Sequence, residues 1–147
     1  MIKMSTKSTY ALKALIDLAR FSSTKPERLS RIAFRQQIPL PYLEQIFSKL
    51  KKAGLVQASR GPQGGYKLAR SMNDISLADI VAITEGPIQP VMCSQPEKRS
   101  STCHDVEGCL SRLVCNELDG AIHQILKKNT LGSLCGEANK LQGVTNV

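Results

Sequence analysis

Apolar residues in the first half of the chain recur at helical spacing and then switch to short β-compatible runs. Leu43, Ile46, Phe47 and Leu50 fall at i, i+3, i+4 and i+7, while Tyr42, Glu44, Gln45, Ser48, Lys49 and Lys52 take the opposite side. That predicts an amphipathic helix with one packing face and one free face. Pro41 sits in its first turn, where the missing amide proton has no intrahelical acceptor to lose, and Gly54 sits where a left-handed C-terminal cap is wanted. Leu55 to Ser59 and Gly65 to Leu68 then flank Arg60-Gly61-Pro62-Gln63-Gly64, which predicts a hairpin with an arginine at its tip. Upstream, Ala11, Ala14, Leu15, Leu18 and Ala19 give a first helix its inward stripe, with Lys7, Lys13, Asp17 and Arg20 mostly outside it. Leu29, Ile32, Ala33 and Phe34 mark a short second helix that stops before Pro39. The second helix and the helix over 40–53 form a helix-turn-helix, and the hairpin is its wing.

Beyond the wing, Ser76 and Asp79 have the spacing of a capping box, with Ile75 and Ile80 placed as a hydrophobic staple. The helix they start should end at Gly86-Pro87. Residues 87 to 109 hold Pro87, Pro90, Pro96, Gly108 and three cysteines without a period, and read as either a functional loop or a disordered one. Period returns with Leu110, Leu113, Val114, Leu118, Ala121, Ile122 and Ile125, a broad stripe on a helix over 110–128 that either meets a partner or covers its own core. Thr130 is placed to cap a final short turn from Leu131 to Asn139, and 141–147 is expected to fray. The fold class is therefore mainly α, a winged helix-turn-helix with a two-stranded wing and a long C-terminal helix whose stripe is compatible with a dimerisation helix. The organisation expected is a DNA-binding domain at 1–86, a cysteine loop at 87–109, and the dimerisation helix and tail at 110–147.

Charge sharpens this. The chain of 147 residues carries +8 overall, but residues 1–73 hold 14 Lys/Arg against 3 Asp/Glu, +11, while 74–147 hold 6 against 9, −3. The first half is the one suited to a polyanion. Gln45 and the cations of the free helix face match base edges in the major groove, and Arg60 matches the narrower minor groove or a phosphate. Glu44 tolerates such a site only by accepting from a cytosine amino group, so it reads as a discriminator against wrong bases. Lys49, Lys51 and Lys52 are otherwise an ordinary solvated face, and the local excess of positive charge assigns them to phosphates. No apolar run of membrane-spanning length and no signal peptide is present, so the expected location is cytoplasmic. There a set of five cysteines argues for metal, cluster or redox use over a disulfide framework. A Ser/His/Asp set, a carboxylate pair and the Lys-Ser/Thr of a phosphate loop are all missing, which argues against an enzyme.

The segments PYLEQIF and RGPQGGYKLAR, with STKSTYALKALIDLA before them and NTLGSL after, resemble the IscR-type regulators, the Rrf-two family. The resemblance covers most of the chain. It implies a homodimeric regulator bound to double-stranded DNA at a near-palindromic operator, with DNA contacts at Tyr42, Glu44, Gln45 and Arg60. It also implies that Cys93, Cys103 and Cys109 hold an iron-sulfur cluster, 2Fe-2S in preference to 4Fe-4S. Counting back from NTLGSL places Cys109 as the third ligand and Cys103 as the second, leaving Cys93 as the first across a longer gap. The family histidine three residues after the third cysteine is Arg112 here, which stays protonated and cannot ligate. The carboxylate that some members bring from the partner's first helix has no counterpart in Lys7-Ser8-Thr9-Tyr10. His104 or Cys115, then Asp105 and Glu107, are the local candidates for a fourth ligand, with a small ligand or water in their absence. Zinc is the competing metal, but structural zinc sites favour ligand pairs two to four residues apart and no C-x2-C pair occurs. Cys135 and His123, in helical segments, read as structural. The function expected is transcription control by cluster status; the alternative keeps the DNA head and regulates it through thiol redox, zinc or a protein partner.

Overall fold

Helix α1 (Thr6–Phe21) starts at Ser5, whose hydroxyl accepts from the Ser8 amide, and buries Ala11, Ala14, Leu15 and Leu18 completely. The computed structural model describes residues 4–22, 25–88 and 109–144. One expectation fails on α1: Asp17 is not outside the stripe but 2% exposed. A buried carboxylate must be paired, and Arg35 reaches it from the next helix with Nε 3.0 Å from Oδ2 and Nη2 2.5 Å from Oδ1, while Gln36 donates at 2.8 Å. Arg35 also lies 3.3 Å from Glu27 and 4.4 Å from the ring centroid of Phe21. Apolar periodicity cannot see this arrangement, because the neutralising cation comes from another element.

Helix α2 (Leu29–Gln36) buries Ile32 and Ala33. Phe34, read above as part of its apolar stripe, is 86% exposed. Ile32 and Ala33, with Ile38 just after the helix, already fill the inward side of so short a helix. Gln37 ends it in the left-handed conformation, φ 53°, and the turn leads into α3 (Leu40–Lys52). The four predicted inward residues of α3, Leu43, Ile46, Phe47 and Leu50, are all buried. Gly54, at φ +74°, closes the helix, with its amide on the Lys51 carbonyl and the Leu55 amide on that of Leu50, both at 3.0 Å.

Strands β1 (Val56–Ser59) and β2 (Gly65–Leu68) pair antiparallel, Val56 opposite Leu68 and Ser59 opposite Gly65. On the far side of β2, Glu27 exchanges both backbone bonds with Tyr66, at 2.8 and 2.7 Å. The wing is thus anchored to the loop before α2. A 3-10 turn (Met72–Asp74) precedes α4 (Leu77–Glu85), whose capping box forms as predicted, and Ile75 and Ile80 are both fully buried.

Helix α5 (Leu110–Lys128) packs on α4, and α6 (Leu131–Val144) packs on α1 and the 3-10 turn. The Leu77 amide binds the Asn129 carbonyl and the Leu131 amide that of Ile75, at 2.8 and 2.7 Å, which stitches the α5–α6 junction to the entry of α4. Helix α6 is longer than the short turn and frayed tail expected, because Leu131 and Cys135 anchor it to the same core as α1 and α3. Among the described residues no helix is long and apolar enough to cross a membrane.

Replacing Arg35 with Met should cost about 2 kcal/mol, less than breaking a fully buried pair because the Arg35 side chain keeps 30% exposure and is screened by solvent. Denaturant unfolding checks this, with D17L/R35M recovering much of the loss; an R35M chain as stable as the native one would show that the pair does not hold the helices.

Candidate nucleic-acid interface and cysteine segment

The outer side of α3 carries Glu44, Gln45, Ser48, Lys49 and Lys52, all exposed, with Lys51 beside them. Their exposure follows from the inward stripe: once Leu43, Ile46, Phe47 and Leu50 are buried, the remaining positions have only solvent to face. Lys49, Lys51 and Lys52 lie in the last turn, where cations also complement the helix dipole. Tyr42 differs from this set. It is half-buried, its ring edge-on to that of Tyr10 at a centroid distance of 5.7 Å, so α1 fixes its position at the head of α3.

Arg60 is exposed at the start of the turn joining β1 and β2. The wing is held by close backbone approach. A Cβ on Gly65 would lie 2.5 Å from the Glu27 carbonyl oxygen, and one on Gly64 would lie 2.4 Å from that of Ser59. Arg28, at the N-cap of α2, donates from Nη2 to the Pro62 carbonyl at the wing tip. Inside, Tyr66 meets Phe47 edge-on at 5.1 Å, which joins the wing to α3. The sequence reading missed the bracing by Glu27 and Arg28, for which no local pattern exists. Lys67 is a further exposed cation on β2.

Of the three cysteines expected to bind a cluster, Cys109 is described: it is the N-cap of α5 and half-buried. Cys93, Cys103 and His104 lie outside the described residues, as do Asp105 and Glu107. Cys115 is half-buried on α5, and Cys135 is buried, which pushes its thiol up from the ordinary cysteine range. Among the described residues no group of three His, Cys, Asp or Glu side chains could hold a metal ion. The donor set in the sequence, three thiols in one segment with Cys109 at its end, has the chemistry of a thiolate-bound iron cluster. His123 contacts the Asp119 carbonyl of its own helix through Nδ1, at 2.9 Å.

The fold supplies one group the sequence reading did not place here. Residues 7–10 contain no carboxylate, but Glu85 at the end of α4 comes to that end of α1. Its Oε1 accepts from the hydroxyls of Ser5 and Ser8, the latter at 2.6 Å, and the buried Ser8 hydroxyl also lies 2.7 Å from that of Thr84. The Ser5 bond first and the Ser8 bond second hold the Glu85 carboxyl below the ordinary carboxylate range. The chain that leads into the cysteine segment is therefore tied to α1 at its first residue.

Comparison with known proteins agrees with this architecture. The family model Rrf2, described as an iron-dependent transcriptional regulator, matches residues 4–137. The transcriptional regulator IscR of Vibrio atlanticus is 36% identical over 141 residues, 96% of this chain and 79% of that protein. The solved structure of CymR, the global cysteine regulator of B. subtilis, superposes with a TM-score of 0.80 at 33% identity, covering 93% of this chain and 98% of that one. IscR of T. potens superposes with a TM-score of 0.77 at 35% identity, covering 96% and 91%.

Gly65→Ala should cost about 2 kcal/mol, since the added methyl meets backbone that cannot swing away. Urea unfolding measures it, together with binding to a short mixed-sequence duplex, which should weaken as the wing shifts; unchanged stability and binding would contradict the close-approach account.

Proposed function

The chain belongs to the Rrf2 family of transcriptional regulators, and from that premise we propose that an iron-sulfur cluster on Cys93, Cys103 and Cys109 governs its grip on DNA. It is a DNA-binding regulator with a winged helix-turn-helix, and not an enzyme. The proposal adds how binding is built and controlled.

Two copies join through α5. Leu110, Leu113, Val114, Leu118 and Ile125 are each more than half exposed in the single chain, and α5 has no fully buried residue. A stripe of that size on a 19-residue helix calls for a partner surface. A second α5 supplies the same apolar face through a two-fold axis. The two α3 helices then address successive major-groove faces of a near-palindromic operator. Gln45 reads base edges, Glu44 accepts from cytosine, and Tyr42 and Ser48 hydrogen-bond at the groove. Lys49 and Lys52 neutralise phosphates, and Arg60 enters the minor groove or meets a phosphate at its rim.

The observation that carries the control step is Glu85. As the last residue of α4, two residues before the cysteine segment, it binds the N-terminus of α1 through Ser5 and Ser8. Helix α1 in turn packs on α3 and β2, the two reading elements. At the other end of the segment, Cys109 caps the helix that forms the dimer. Thiolate-bound iron is labile to oxidation and to loss of iron, which is the chemistry a cluster supplies here. Occupancy of the three thiols changes the restraint on both ends of the segment, and so the relation of the two heads. His104 or Cys115 completes the ligand set, 2Fe-2S in preference to 4Fe-4S. The second reading has the thiols act without iron, and the likeness to Staphylococcus aureus CymR, which is known in an oxidized form, favours it.

Purification without oxygen should give a coloured protein holding iron and acid-labile sulfide in near-equal amounts, both lost when Cys93, Cys103 or Cys109 becomes Ala. A colourless preparation that cluster reconstitution leaves unchanged would remove the cluster and leave the thiol reading.

A further inference from the structure

Gln37 is the one described non-glycine residue with positive φ, at φ 53° and ψ 45°. That is the left-handed region, where a Cβ crowds the following carbonyl and glycine is favoured. The residue ends α2 and turns the chain into α3. Its backbone amide is used, on the Phe34 carbonyl, but its side chain is exposed and its amide group has no hydrogen-bond partner among the described residues. Glycine would make the same turn without strain, and among the described residues nothing recovers what glutamine loses. A contact with a partner would recover it.

We propose that Gln37 is a DNA-backbone contact, its side-chain NH2 donating to a phosphate oxygen at the edge of the groove that α3 enters. The position argues for phosphate over base. Gln37 stands on the α2 side of the turn, three residues before Leu40 begins α3, so it flanks the groove while Gln45 and Glu44 on the outer face of α3 enter it. The left-handed backbone fixes where this side chain leaves the turn, which lowers the entropy lost on contact. Because the donor is neutral, it releases no counterion, and its contribution is independent of salt. This inference rests on the DNA reading above and adds a residue to it.

The test compares native full-length protein with Q37G, Q37A and Q37E on two short duplexes, one recovered by selection from a random library and one of scrambled sequence. Q37G should raise the thermal midpoint by about 3 °C, since strain is relieved. Yet Q37G and Q37A should both bind about tenfold more weakly, as expected for a lost bond to a charged acceptor. The loss should be equal on the two duplexes, with the slope of affinity against salt unchanged. Q37E, of the same shape, should bind more weakly than Q37A because its carboxylate faces phosphate. Native binding by Q37A or Q37E would overturn the contact, Q37A doing so even if Q37G falls, because the loss would then be turn flexibility. A loss confined to the selected duplex would overturn the phosphate assignment. A native chain that binds neither duplex would overturn the DNA reading itself and this inference with it.

Discussion

A carboxylate shut away from water has to be neutralised inside the fold, and Asp17 does more than any apolar residue to decide how the head is assembled. Its charge lies on α1, the answering guanidinium of Arg35 on α2, and Arg35 also reaches Glu27. Glu27 is the residue whose backbone pairs with Tyr66 of the wing. One ion cluster therefore sets the first helix, the helix-turn-helix and the wing in fixed relation. Apolar contacts around Leu15 and Phe47 supply most of the free energy but are less directional. The charged cluster has one geometry that satisfies it.

The proposed control by the cysteine segment draws on this same frame. Glu85 fastens the end of α4 to the start of α1, and Cys109 stands at the N-cap position of α5. Between those points lie the thiols assigned to iron. Helix α1 contacts both α3 and the wing, so under the proposed control a change at the segment would reach the reading head through α1 and the second copy through α5. Helix α6 strengthens the connection, since Leu131 and Cys135 enter the core of the head directly after α5.

What the sequence made legible was local. The inward stripe of α3, the hairpin, the Gly54 cap and the Ser76–Asp79 box depend on residues a few positions apart, where spacing and side-chain chemistry are sufficient. The span of α5 was legible for the same reason, and the resemblance to the family rested on the continuous segments around α3 and the wing. Asp17, Phe34 and α6 were misread because each depends on distant partners. A buried acid looks like a surface acid until Arg35 is placed beside it, and Phe34 looks like core until Ile32, Ala33 and Ile38 have taken the space. The bracing of the wing by Glu27 and Arg28 spans more than thirty residues and has no local signature. The exposure of Glu44, Gln45, Ser48, Lys49 and Lys52 on the outer face of α3 was readable from the inward stripe, but the strained Gln37 backbone was not, because glutamine carries no sign of positive φ.

The central claim is that cluster status changes the affinity of the dimer for its operator. The most direct measurement is the dissociation constant of the anaerobic, cluster-loaded protein and of the same protein stripped of iron, on one operator duplex at one salt concentration. The account predicts a difference of about tenfold or more between the two forms, within the usual range of coupling between sites. Equal affinities at matched salt would contradict it.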